Sequence, residues 1–354
     1  MEQAKKRSAV LLTLHMFFLI AMSSCSEINT GDGEGTPFES TGSTGGTKGE
    51  ARGGRASISS RPAIAVTPEG TVVRVVRPSA NLEHINLITG EATRLVPIDC
   101  QGFMIDIVAE EDGSLVVLSV ASNPQTPRPI FILSRIDPMT SACTTVADAT
   151  RGSGPPFGTP SAIALAADGS LLLVDGGRLL QMDPGTGART VVSHAALGSG
   201  PTLGALRDIA VEADGHLVVV DNAPPAVVRV DPMTGNRTIV SDATRGSGPP
   251  FGLPSAIAVA ADGSLLVMDF GSLLQVDSMT GNRTIVSDAM RGSGPLPFHD
   301  MSAMALAADG SLLVYGAMAF PADRGLRVGD FEILMRVDLV TGDRMVIPIA
   351  DVSP

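Results

Sequence analysis

Six imperfect repeats, each marked by an acidic residue followed by glycine, constrain this chain more than any other feature of its sequence. The pairs are Glu69-Gly70, Asp112-Gly113, Asp168-Gly169, Asp214-Gly215, Asp262-Gly263 and Asp309-Gly310, spaced by 43, 56, 46, 48 and 47 residues. A period of this length marks an array of units too small to bury their own apolar faces, so each must pack on its neighbours.

The unit at Ser255–Asp288 shows what one repeat builds. Ala256–Ala260 is a short apolar strand that ends in Asp262-Gly263, a hairpin turn signal because both residues tolerate positive φ. Leu265–Met268 and Leu273–Val276 follow as strands, and the turn at Asp277–Gly281 leads into a fourth, Arg283–Val286. No stretch of helical period interrupts this pattern. Four-stranded units arranged radially around a channel make a β-propeller, so the expected fold is all-β with six blades. The last unit holds its own fourth strand, through Arg344–Ile349, so the ring can close without strand exchange. Residues recurring from unit to unit are read as parts of the blade. Asp183, Asp231, Asp277 and Asp338 serve as turn caps, and Arg189, Arg237, Arg283 and Arg344 as cross-strand polar partners.

Composition sets how such a core is packed. Hydrophobic residues make up 44% of the chain but aromatics only 3%, with no Trp and Tyr315 as the only Tyr, so aliphatic side chains must fill the blade junctions. The formal charge of −12 argues against nucleic-acid binding, which needs a cationic surface to displace counterions. Residues 1–24 read as a signal peptide: Lys5-Lys6-Arg7, an apolar run over Ala9–Met22, then Ser23-Ser24. Residues 25–60, rich in Gly, Ser and Thr, form a flexible tether, and 61–350 the propeller.

Two resemblances extend this reading. Met22-Ser23-Ser24-Cys25 resembles the bacterial lipobox, which implies cleavage before Cys25, lipidation of its thiol, and an exported chain held at the cell envelope or outer membrane by its lipid. If the thiol is not lipidated, the chain is secreted. AIAVAADGSLLVMD at 256–269 and VVRVDPMTGNRTIVS at 227–241 resemble the NHL and SMP-30-like group of six-bladed propellers. That resemblance implies the fold; the scaffold hosts many activities. Enzymes of the group converge Glu, Asn and Asp on the channel, a set that Asp106, Asp208, Asp221 and Asn222 match only in part.

A ligand site is sought where the repeat is broken. Asp106 and Asp208 stand at the inner-strand position that is Ala63, Ala162, Ala256 and Ala303 elsewhere, and Arg207 replaces a recurrent serine. Asp175, Asp221 and Asp269 end their second strands on the same face, with Asn222 beside Asp221. Together these could offer hard oxygen ligands to Ca²⁺ or Mg²⁺, or form an acidic, solvated rim without an ion. His299-Asp300 is a candidate acid/base pair, although a solvent-exposed loop histidine is the better reading of His299. The glycines of RGSGPPFG, at 151–158 and 245–252, lead into a strand rather than a helix, which argues against a phosphate cradle. Cys100 and Cys143 are candidates for a disulfide in an exported protein, if adjacent units bring them close enough.

Two functions compete. The first is a non-catalytic envelope lipoprotein whose propeller face binds a protein partner or a small ligand, with the excursions at Ala121–Pro129 and Ala317–Asp330 as contact surfaces. The second is a metal-assisted lactonase- or lyase-like enzyme with its site at the channel mouth.

Overall fold

The computed structural model describes residues 63–76, 81–95, 100, 102–122, 129–295, 300–317 and 332–349. The signal peptide, the tether and Cys25 lie outside these residues. So do His299 and most of the two excursions, and of Asp300 only the backbone is described. The described residues form six four-stranded antiparallel sheets, each taken from consecutive strands, and contain no helix. The molecule is a six-bladed β-propeller. Among the described residues no strand is exchanged between the first and last sheets.

The inner strands are Ile64–Val66, Phe103–Ala109, Pro160–Leu165, Leu206–Val211, Pro254–Val259 and Asp300–Leu306, in blades 1 to 6. The outer strands are Ala92–Leu95, Cys143–Ala147, Arg189–Ser193, Arg237–Ser241, Arg283–Ser287 and Arg344–Ile347. In blade 5 the strands are Pro254–Val259, Leu265–Asp269, Ser272–Val276 and Arg283–Ser287, within two residues of their expected limits at every end. The hairpin after the inner strand turns where the sequence places it. Asp262 Oδ1 accepts from Ser264 N–H at 2.9 Å, and Gly263 takes φ +81°.

The core is divided among the junctions between blades. Successive residues of each second strand point to opposite faces, so Leu171 and Leu173 join blade 2 residues such as Leu118 and Leu133, while Leu172 and Val174 join blade 4 residues such as Leu217 and Val219. Each of the six junctions has such a cluster of buried aliphatic side chains. At roughly 1.5–3 kcal/mol for each fully buried side chain, these clusters are the main favourable term holding the ring together. The junction between blades 6 and 1 uses the only tyrosine. Tyr315 is fully buried, and the one proton of its hydroxyl is shared between Val75 C=O, 3.1 Å away in blade 1, and Glu332 in blade 6, under the Arg74 guanidinium 5.8 Å from the ring centre.

The recurrent turn aspartates act as expected: Asp231 Oδ1 accepts from Met233 N–H at 2.8 Å, and Thr234 Oγ1 donates to Asp231 Oδ2 at 2.6 Å. The recurrent arginines do something else. Each is buried at the start of its outer strand and donates to backbone carbonyls of the connection that enters its blade. Arg283 reaches Pro249 (2.6 Å), Asp242 (2.9 Å), Arg245 (3.2 Å) and Gly246 (3.4 Å), as well as the Ser241 hydroxyl at 2.5 Å. The cross-strand pairing expected for these arginines is therefore replaced by a staple that ties blade to connection. Gly246 and Gly248 let that connection lie against the outer strand. Both have φ above +80°, and a Cβ on either would come within about 2 Å of a carbonyl oxygen of Gly281 or Arg283.

Blade 2 has a cysteine where blades 3 to 6 have arginine. Cys143 pairs with Ile136 in the register in which Arg189 pairs with Met182 and Arg283 with Val276. Cys143 is disulfide-bonded to Cys100 in the connection entering blade 2, with Cα atoms 5.7 Å apart. A covalent bond here joins the same two parts that the arginine staple joins elsewhere.

Candidate functional site

The inner strands enclose a cavity of about 370 Å³ along the axis of the ring. Its walls are mostly Ile, Val, Leu and Ala, and its charged lining residues are Asp106, Arg207 and Asp208. The structure confirms the alignment that singled these residues out. Asp106 pairs with Leu118 and Asp208 with Val220, as Ala162 pairs with Val174, Ala256 with Met268 and Ala303 with Tyr315.

The two aspartates are each part of a tie between blades. Asp106 Oδ1 accepts from Ile107 N–H in its own strand at 2.9 Å, while Oδ2 accepts from Ile163 N–H of blade 3 at 2.7 Å. Asp208 does the same with Ile209 at 2.8 Å and with Ile257 of blade 5 at 2.9 Å. An inner strand leaves one edge without a sheet neighbour, and each carboxylate caps two amides on neighbouring edges.

The aspartates ending the second strands hold the connections at the channel mouth. Asp221 accepts from Gly204 N–H and Ala205 N–H, both at 2.7 Å, and from Ala223 N–H at 2.9 Å. Asp175 accepts from Gly158 N–H at 2.9 Å and from Arg178 at 2.6 Å. Asp269 accepts from Gly252 and Leu253, yet burial outweighs those bonds and holds its carboxyl above the usual carboxylate range. Asn222, with its amide oriented to suit its neighbours, accepts from Arg207 Nε at 3.0 Å and donates to Pro254 C=O at 2.6 Å. The structure thus links Arg207 to Asn222, places Asn222 beside Asp221, and sets Asp106 and Asp208 in separate ties two blades apart.

A hard divalent cation takes six or more oxygens at 2.0–2.6 Å. Every carboxylate oxygen of Asp106, Asp208 and Asp221 already accepts at least one backbone N–H, and among the described residues no three His, Cys, Asp or Glu side chains gather closely enough to hold a metal ion. This donor set does not fit Ca²⁺ or Mg²⁺. His299-Asp300 falls outside the described side chains. His216 faces Asp214 across a hairpin turn at 3.0 Å, and burial lowers the His84 pKa. Sequence reasoning passed over the channel-facing backbone amides, which belong to no side chain and show only once the strand edges are placed.

No protein-family model matches the sequence, and neither does any curated protein. Solved structures do match in shape. Virginiamycin B lyase from Staphylococcus aureus superposes with a TM-score of 0.53 at 17% identity, covering 82% of this chain and 85% of that one. A gluconolactonase from Xanthomonas campestris gives 0.53 at 15%, covering 72% and 82%. The PQQ-bound aldose sugar dehydrogenase from Streptomyces coelicolor gives 0.50 at 16%, covering 77% and 92%. The shared property is the fold.

Proposed function

We propose that this chain is a non-catalytic envelope lipoprotein, tethered through Cys25, whose propeller binds a small ligand in its channel or a protein partner at its face. The observation that carries the reading is the use made of the channel acids. Asp106, Asp208 and Asp221 are engaged in tying backbone edges together, so they favour a rigid receptacle over an acid/base or metal centre. The anchor rests on the lipobox-like Met22-Ser23-Ser24-Cys25 and the tether that follows it. The lyase and gluconolactonase that share the fold lend some support to a second reading, a metal-assisted enzyme at the channel mouth.

Calorimetric titration of the full chain with Ca²⁺ and with Mg²⁺ separates the two. The proposal expects no saturable heat. Saturable binding that disappears in the Asp106→Ala, Asp208→Ala double variant would replace it with the enzyme reading. Membrane fractionation of Cys25→Ser tests the anchor: the variant is expected in the soluble fraction, and one that still sediments with membranes removes the lipoprotein.

A further inference from the structure

At one level of the channel each inner strand offers an equivalent backbone amide: Ile64, Ile107, Ile163, Ile209, Ile257 and Met304. All six lie in the cavity wall. Four are seen bonded to the channel carboxylates. The direction of the other two follows from the ladder, in which alternate residues of an edge strand bond the neighbouring strand and the rest face away. Ala63 C=O accepts from Val75 N–H, so the next amide, Ile64, faces the channel. Ala307 N–H bonds Ser311 C=O on the second-strand side, so Met304, three residues before it, also faces the channel.

The carboxylates divide these amides into pairs. Asp106 of blade 2 caps Ile107 and Ile163, and Asp208 of blade 4 caps Ile209 and Ile257. The next even blade would cap Met304 and Ile64, but it has Ala303 at that position. Among the described residues no carboxylate caps this third pair.

Blade 6 belongs to the even series by a second mark. Blades 2 and 4 each have a third-strand arginine bonded to a glutamate four residues beyond the channel aspartate: Arg135 to Glu110 and Arg229 to Glu212, with Nε–O distances of 2.5 Å. Blade 6 keeps the arginine in the same register, Arg336 opposite Leu313, but has Ala307 in place of the glutamate. Arg336 Nε is buried without a hydrogen-bond partner. Blade 6 is thus an even blade that lacks both acids, with Ala303 and Ala307 in their places.

We propose that the Met304 and Ile64 amides bind the carboxylate of a small organic acid, held as Asp106 and Asp208 hold their own pairs, with its remaining atoms in the 370 Å³ cavity. This deepens the small-ligand reading above and rests on it. The ligand head takes the place of the side chain that Ala303 lacks. Asp106 and Asp208 already bring two negative charges to the lining against one from Arg207, so a monoanion is accepted more readily than a dianion.

The test titrates the full chain with acetate, using acetamide and chloride at equal ionic strength as controls, and follows the melting temperature. Acetate is expected to raise it saturably, by about 2–4 °C at tenfold saturation, and the controls to leave it unchanged. Ala303→Asp brings its own carboxylate to the pair and is expected to lose the acetate response. The backbone ¹⁵N–¹H resonances of Met304 and Ile64 give the same decision without the variant, since they should shift together on acetate addition. A wild-type chain indifferent to acetate, a full response in Ala303→Asp, or unmoved Met304 and Ile64 amides would each overturn the site. Another small molecule bound in the channel, with acetate ignored, removes the carboxylate site but leaves the ligand-binding reading. Turnover of a bound carboxylate removes the non-catalytic reading and keeps the site.

Discussion

A polar side chain in this ring is defined by the backbone it completes. Arg283 is 6% exposed and satisfies four carbonyls of a connection that contains no regular strand. Arg283→Ala should cost about 2–3 kcal/mol, because it removes the charged donor that the buried Ser241 hydroxyl and the half-buried Asp242 and Pro249 carbonyls share, whereas Met279→Ala, at a residue 78% exposed, should stay within about 0.5 kcal/mol of wild type. Chemical denaturation of the two variants side by side measures the contrast; equal midpoints would refute it. Sequence alone made these arginines structural by their recurrence but could not supply their partners. Periodicity reveals which residues belong to a blade, while the acceptors are irregular backbone up to 56 positions away. The same limit applies to Asp106. Its departure from the repeat was visible, but its contact with Ile163, 57 residues on, exists only once two blades stand side by side.

For the blades themselves the sequence was more informative, since an Asp-Gly turn and alternating apolar runs act over a few residues. The limits of the blade 5 strands could be read almost to the residue. The connections were harder, because glycine-rich segments such as 245–254 look slack in a sequence yet wrap closely around an arginine here. Blade 2 shows that the wrap can be replaced. Its entering connection is fastened by Cys100–Cys143, which closes a sequence separation of 43 residues and by chain entropy stabilises the fold by about 4 kcal/mol. Reduction, or the Cys100→Ala, Cys143→Ala pair, should therefore lower the melting temperature. It should also speed hydrogen exchange first in the blade 2 inner strand, Phe103–Ala109, with blades 4 and 5 protected as before. Uniform acceleration around the ring would show that the bond acts on the whole fold instead.

As a whole, the molecule is a ring in which, among the described residues, blades 6 and 1 share no strand, so this last junction, held by packing and by the Tyr315 hydroxyl, must be as firm as the other five. Tyr315 is buried there, and burial together with the charge of Glu332 pushes its phenol far above the usual value of 10.0. A folded-state pKa raised above the unfolded one means that the stabilisation is complete below pH 10 and declines as the pH rises beyond it. Melting temperatures should therefore fall above pH 10 in the wild type and fall less steeply in Tyr315→Phe; parallel curves would contradict this account of the junction. The chain has no tryptophan, which gives the same residue an optical consequence. Its tyrosine fluorescence comes from one chromophore at one seam, while far-ultraviolet dichroism averages over every strand. A loss of the first signal ahead of the second would be the spectroscopic record of a ring coming open between its last blade and its first.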